Sequence, residues 1–166
     1  MSDLQQALIE AHLKTLKLPG IRSHYQQMAR QAGADSWSFQ DYLRELLEIE
    51  VGSRSTRVAA QRLREARFPE VKTFEQLNWQ VLQGVSKTTL LQLATCAYLE
   101  KAEDLIIAGP IGTGKFHLAV ALGVEAAKRR FRVLFVRAAD LVRELLEARD
   151  DRALGRFQVR LAGWIY

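Results

Sequence analysis

The stretch "GPIGTGKFHLA", residues 109–119, decides how this chain is expected to fold. Its spacing, Gly-x-x-x-x-Gly-Lys, is typical of a phosphate-binding loop. The apolar run "LIIA" (105–108) before it predicts a buried parallel strand, and the apolar pattern after it predicts a helix ending near residues 129–130. "RVLFV" (132–136) predicts a second buried strand. Together these elements form a βαβ unit, so we predict an α/β fold for this region.

The chemistry of the loop follows from its residue types. Glycines allow backbone conformations that bring N–H groups close to a ligand, and the following helix contributes the positive end of its dipole. Lys115 supplies a mobile positive charge that can reach the β- and γ-phosphates. The alternative is that these residues form an incidental glycine turn that binds no phosphate. The predicted nucleotide-binding residues are Gly109, Pro110, Ile111, Gly112, Thr113, Gly114, Lys115 and Phe116.

Phe116 stands where such loops carry the Ser or Thr hydroxyl that coordinates Mg²⁺. A phenyl ring cannot ligate a metal, so we expect weakened nucleotide binding and almost no hydrolysis. His117 is either a substitute ligand or an ordinary packed or solvent-facing helix residue. We assign no catalytic residue and no metal-ligating residue.

The first half of the chain predicts helices. One carries Leu4 and Leu8 and ends at the Pro19-Gly20 breaker pair, and a second runs to about Gly33. A third opens at a capping box, "SFQD" (38–41), with apolar residues at positions 39, 43, 46 and 47. A further helix is expected over residues 87–101. We divide the chain into a helical N-terminal region, 1–72, and a core, 73–166.

Basic residues are concentrated between positions 54 and 72. They suit contact with DNA phosphates, and the alternative is a solvated helix face. The six are Arg54, Arg57, Arg62, Arg64, Arg67 and Lys72.

Composition narrows the class of protein. The 166 residues carry a net charge of +5 and a single cysteine, Cys96, which we expect to be buried. One cysteine allows no intrachain disulfide, and no apolar run is long enough to span a bilayer. The N-terminus lacks a signal-peptide pattern. We therefore expect a soluble cytoplasmic protein without a membrane partner.

The chain resembles the IstB-like family of transposition helper ATPases, which are related to bacterial helicase loaders. The similarity covers "LKLPGIRSHY", "SFQDYLRELLEIEVGSR" and "RLREARFPEVKTFEQLNW", as well as the loop with its flanks. It implies a helical N-terminal region followed by an AAA+/RecA-like P-loop NTPase core that binds ATP with Mg²⁺. It also implies assembly on DNA, self-association and a transposase partner, with residues 109–115 contacting the phosphates.

Two departures qualify the resemblance. Phe116 replaces the hydroxyl residue, and the sequence becomes "GWIY" where the family continues into the acidic Walker B strand. We therefore expect a chain truncated before Walker B, an incomplete core, two strands without neighbours and deficient hydrolysis. Whether the chain is an enzyme stays open. The alternatives are a DNA- or protein-binding module or inhibitor, a gene remnant without activity, and a helicase-loader-like replication protein.

Overall fold

The computed structural model describes residues 3–79 and 84–164, and these residues form helices joined by loops. The chain divides into two compact units, Met1–Val58 and Ala59–Tyr166. In chain order the helices are α1 (Asp3–Thr15), α2 (Pro19–Ala34), α3 (Phe39–Glu65), a 3₁₀ helix (Phe74–Gln76), α4 (Lys87–Leu93), α5 (Ala97–Glu100), α6 (Lys115–Lys128), α7 (Ala138–Asp150) and α8 (Leu154–Ala162).

The predicted α/β fold is wrong for the described residues, because no β-strand occurs among them. A strand exists only where its backbone groups pair with a neighbouring strand, and neither 105–108 nor 132–136 has such a partner. The backbone N–H of Phe135 instead donates to the carbonyl of Ala66, just past the end of α3, at 2.8 Å. Burial was also predicted wrongly, since Ile106 is 87% exposed and Val136 is 37% exposed.

The first unit packs around a small apolar cluster. Ile21, Tyr25 and Leu46 are buried there, with residues of α1 against them. α1 ends with Lys17 in the left-handed region (φ 54°) and a hydrogen bond from the Leu18 N–H to the Leu13 carbonyl. The sequence predicts that the Pro19-Gly20 pair ends the first helix, but in the structure this pair begins the second helix. Proline suits the first helical position because that position needs no N–H donor.

The N-terminus of α2 is capped by a side chain from α3. Both oxygens of the Glu50 carboxylate are occupied, and the residue is only 4% exposed. One oxygen accepts from the N–H groups of Gly20 (2.7 Å) and Ile21 (3.1 Å), and the other accepts from Nε of Arg54 (2.8 Å). The contact is close, since a Cβ on Gly20 would lie 3.0 Å from the Cα of Glu50. Glycine at position 20 is what allows α2 to begin here.

α3 begins as its sequence predicts. The hydroxyl of Ser38 accepts from the N–H of Asp41 at 3.1 Å, which confirms the Ser38 half of the predicted capping box. Its apolar positions are less buried than expected, because only Leu46 is buried whereas Phe39 is 94% exposed.

The second unit is built around α6. Leu118, Ala121 and Leu122 of this helix are buried against Phe74, Leu77 and Leu90, with Ile107 packed on the cluster. The helix predicted over 87–101 is two helices, because the backbone of Cys96 adopts the left-handed region (φ 62°) between them. Cys96 is buried as predicted, and burial raises the pKa of its thiol. Across the described residues, no helix is long and apolar enough to cross a membrane.

Candidate phosphate-binding site

The loop 109–114 leads directly into α6. Gly112 (φ 84°) and Gly114 (φ 81°) adopt left-handed conformations that glycine takes without strain. Gly114 is the N-cap of α6 and provides no side-chain cap for the N–H groups of the first turn. The loop therefore presents backbone donors and the positive end of the helix dipole at one place, which suits an anion.

Lys115 is the cationic residue of this loop. It is the first residue of α6, and its ammonium group folds back to donate to the carbonyl of Pro110. The hydroxyl of Thr113 donates to the same carbonyl at 2.9 Å. Both side-chain donors of the loop thus converge on the Pro110 carbonyl. Ile111, in contrast, is fully exposed at the tip of the loop.

Phe116 is held by aromatic contacts. Its ring is 49% exposed and meets the ring of Phe135 edge to face, with 5.7 Å between the centroids. Phe135 in turn lies 6.3 Å from the ring of Phe68. Sequence reasoning identified the missing hydroxyl at position 116, but it did not predict that the ring has packing partners.

His117 is a packed helix residue. Its Nε2 lies 2.9 Å from the carbonyl oxygen of Thr73, so the ring nitrogen that carries the proton donates to that oxygen. This nitrogen is not available to a metal, whereas Nδ1 keeps its lone pair. Of the two readings of His117, the structure favours the packed residue.

Three of the six predicted DNA-contacting residues are engaged in ion pairs. Arg54 binds Glu50 and also donates to the Lys17 carbonyl (2.9 Å), while Arg62 pairs with Glu65 (2.8 Å) and Lys72 with Glu70 (2.7 Å). Arg54 and Arg57 belong to the first unit, and Arg62, Arg64, Arg67 and Lys72 to the second.

Sequence reasoning missed a basic cavity in the second unit. It has a volume of about 430 Å³, and arginines from three parts of the chain line it together with Asp140 and Glu144. Asp140 pairs with Arg137 (3.0 Å) and Arg143 (2.7 Å), and Glu144 pairs with Arg160. No local sequence signal brings these residues together, because α7 and α8 meet only in the folded chain.

Comparison with known proteins now fixes the family. The family model for "IstB-like ATP binding protein" matches residues 11–165. The chain belongs to this family. A Pseudomonas aeruginosa protein named as the ATP-binding protein of insertion sequence IS21 is 34% identical over 148 residues, covering 89% of this chain and 56% of that protein.

Further relatives have similar names. An insertion-sequence ATP-binding protein of Sinorhizobium fredii is 34% identical over 91% of this chain and 51% of its own length. One from Mycobacterium tuberculosis is 31% identical over 94% of this chain and 62% of its own length. The chain thus spans about half the length of the curated relatives it matches. The family prediction is confirmed.

The Mg²⁺ ion that the family resemblance implies finds no cluster of ligating side chains in the described residues. They contain no group of three or more His, Cys, Asp or Glu side chains that could hold a metal ion. At the loop itself, position 116 offers a hydrocarbon ring in place of a hydroxyl.

Proposed function

We propose that this chain binds ATP at residues 109–116 as a helper protein of DNA transposition. The observation that carries the proposal is the loop at the start of α6. There, two left-handed glycines, an uncapped helix N-terminus and the folded-back ammonium of Lys115 lie together. The names of the relatives, which associate ATP binding with insertion sequences, support the same function.

In the proposed binding mode, both backbone N–H groups and the Lys115 side chain bind the phosphates. The first-turn N–H groups of α6 and the left-handed glycines would hold phosphate oxygens. Lys115 would leave the Pro110 carbonyl and form a charge-assisted hydrogen bond with the outer phosphates, which is roughly twice as strong as a neutral one.

We further propose that the chain hydrolyses ATP poorly. In phosphoryl transfer the protein mainly positions groups and stabilises charge, and the metal ion is central to both. Phe116 removes the hydroxyl that would hold this ion, and the described residues offer no replacement cluster. Single-turnover cleavage of ATP at ordinary ATPase rates by the purified chain would contradict this part of the proposal.

Nucleotide binding by the full chain tests the main proposal. A fluorescent ATP analogue is titrated against the wild type and against Lys115→Ala, and we expect the variant to bind roughly tenfold or more weakly because a charged hydrogen bond is lost. Lys101→Ala is the matched control, since Lys101 is an exposed lysine of the same unit outside the loop, and it should bind like the wild type. Equal affinity of Lys115→Ala and the wild type would refute binding at this loop.

DNA and a transposase are the proposed macromolecular partners, and a cytoplasmic location remains a prediction. The insertion-sequence names of the relatives support both partners. The six basic residues between positions 54 and 72 remain the predicted DNA contacts. An affinity for DNA that falls steeply with rising salt concentration would support phosphate contacts, and a salt-independent affinity would argue against them.

A further inference from the structure

This loop lacks the hydroxyl that normally coordinates Mg²⁺, and that difference affects which form of the nucleotide the loop binds. In loops of this spacing the hydroxyl after the lysine coordinates an ion that also bridges the phosphates. The bound ion therefore links the nucleotide to the protein. At position 116 this link is absent, because the side chain has no oxygen or nitrogen atom.

The polar side chains next to position 116 make hydrogen bonds to backbone carbonyls. Thr113 is the one other hydroxyl residue of the loop 109–116, and it donates to the Pro110 carbonyl at 2.9 Å. His117 follows Phe116, and its Nε2 is bonded to the Thr73 carbonyl. Without a hydroxyl at position 116, an ion on the phosphates would lack the protein ligand that loops of this spacing supply there.

The ring of Phe116 also makes the position unfavourable for a hydrated ion. Its edge-to-face contact with Phe135 places the two ring centroids 5.7 Å apart at the start of α6. Phe135 is itself held by its backbone hydrogen bond to Ala66 and by the ring of Phe68. The ring thus presents apolar surface beside the phosphate position, and stripping water from an ion there costs free energy without a compensating ligand.

Electrostatics then favours the free nucleotide. The loop attracts phosphate through the charge of Lys115 and the dipole end of α6, and both attractions grow with the negative charge of the ligand. Mg²⁺ on the phosphates neutralises part of that charge. In a loop with a hydroxyl ligand, the bond from protein to metal offsets this loss, but Phe116 provides no such bond.

We infer that this loop binds metal-free nucleotide polyphosphate in preference to the magnesium complex, and that Phe116 sets this preference. The inference rests on the proposed function, because it concerns the same site. It names the chemical form of the ligand: a polyphosphate recognised by Lys115 and backbone N–H groups alone.

The test compares two buffers of equal ionic strength, one with excess Mg²⁺ and one with EDTA. The full 166-residue chain is titrated with the fluorescent ATP analogue in each buffer. We expect the analogue to bind roughly threefold to tenfold more tightly in EDTA, the range that a weakened charge interaction near the protein surface produces.

Two variants isolate the hydroxyl group. Phe116→Thr and Phe116→Val have side chains of nearly the same size, and both lose the ring contact with Phe135. They differ in that threonine carries a hydroxyl where valine carries a methyl group. We expect Mg²⁺ to strengthen binding to Phe116→Thr by roughly threefold or more, and Phe116→Val to bind no better with Mg²⁺ than without it.

Each result has a defined meaning. If Mg²⁺ strengthens binding to the wild type, the inference is wrong and the proposed function stands. If Phe116→Thr and Phe116→Val respond equally to Mg²⁺, position 116 does not set the preference. If the analogue binds to the wild type in neither buffer, the proposed function itself fails. The wild-type comparison needs no variant, so the inference is tested even if both variants unfold.

Discussion

At the scale of single residues, Glu50 has the clearest structural role in the first unit. Its buried carboxylate joins the start of α2 to Arg54 of α3. Burial alone raises the pKa of Glu50, but hydrogen bonds from Arg54, Ile21 and Gly20 outweigh it, so the pKa lies below its ordinary value of 4.5. The folded state therefore favours the charged carboxylate.

Replacing Glu50 should destabilise the protein. Glu50→Ala leaves two N–H groups of α2 without their acceptor, so we expect a loss of about 2 kcal/mol in the free energy of unfolding, and about 1 kcal/mol for Glu50→Gln. Urea denaturation followed by circular dichroism measures both. Glu48→Ala is the control, because the exposed Glu48 side chain lies 3.8 Å from Arg44, and it should change the free energy by less than about 0.5 kcal/mol. Equal effects at positions 48 and 50 would refute the capping role.

The same carboxylate gives a pH dependence of defined sign. A carboxyl group whose pKa is lowered by folding stabilises the protein above its unfolded pKa, and this contribution disappears as the pH falls through the folded pKa. The difference in unfolding free energy between the wild type and Glu50→Gln should therefore shrink as the pH falls from about 7 to about 3. A difference that stayed constant over this range would show that the charge of Glu50 is not involved.

At the scale of helices, the packing of α2 on α3 depends on a missing side chain. Gly20 lies so close to α3 that a Cβ would come within 2.9 Å of Glu50 Oε2 and 3.2 Å of the Cβ of Ser53. Gly33, in the last turn of the same helix, has no atom within 4 Å of the position of a Cβ. The two glycines thus differ in environment although they share one helix.

Alanine substitutions of Gly20 and Gly33 should change the free energy of unfolding in opposite directions. Gly20→Ala forces α2 away from α3 and should cost about 1–3 kcal/mol of unfolding free energy. Gly33→Ala should stabilise by up to about 1 kcal/mol, because alanine favours the helix and meets no neighbour. Thermal denaturation of both variants checks the signs. Stabilisation by Gly20→Ala would show that the contact between the helices is looser than the structure has it.

The sequence predicted helices more successfully than strands, and the reason is physical. A helix satisfies its hydrogen bonds locally, so periodicity and caps such as Ser38 were enough to place α2, the start of α3 and α6. A strand depends on a partner that can lie far away in sequence, so the apolar run 105–108 could not by itself show whether it would be paired. Similarly, the cap that Glu50 provides for α2 joins residues 30 positions apart and leaves no local signal.

The local backbone of the candidate site was predictable from the sequence, but its side-chain contacts were not. The spacing and the apolar pattern after it predicted a glycine loop followed by a helix, and α6 indeed begins at Lys115 directly after Gly114. The fold-back of Lys115 onto Pro110 and the contact of Phe116 with Phe135 depend on tertiary structure. Reading Phe116 only as a lost ligand therefore missed its packing role.

At the scale of the whole molecule, the second unit exposes apolar segments. Ile106 is 87% exposed, whereas its neighbour Ile107 packs on the buried cluster of Phe74, Leu77 and Leu118. Backbone groups of an unpaired apolar segment can pair with another chain. Self-association through the segment 105–108 is consequently a prediction of this structure.

Lysine substitutions at Ile106 and Ile107 should have different effects on self-association and on the free energy of unfolding. Ile106→Lys places a charge on an exposed segment, so we expect less concentration-dependent association and an unfolding free energy within about 0.5 kcal/mol of the wild type. Ile107→Lys pushes a charge towards the apolar cluster and should destabilise by about 2 kcal/mol or more. Sedimentation velocity measures the association, and urea denaturation measures the stability. Unchanged association of Ile106→Lys would exclude this segment as the contact.

The hydrogen bond from Phe135 to Ala66 bears on when each unit can fold as the chain leaves the ribosome. Every residue of the buried cluster of the first unit has been synthesised by position 46, and Glu50 and Arg54 follow a few residues later. The second unit has no such early start, because its cluster requires Leu118 to Leu122. The carbonyl of Ala66 can accept its hydrogen bond only after Phe135 has been synthesised. Translation thus separates the two units in time, and the loop 109–116 emerges before Phe135, the aromatic partner of Phe116, has been synthesised.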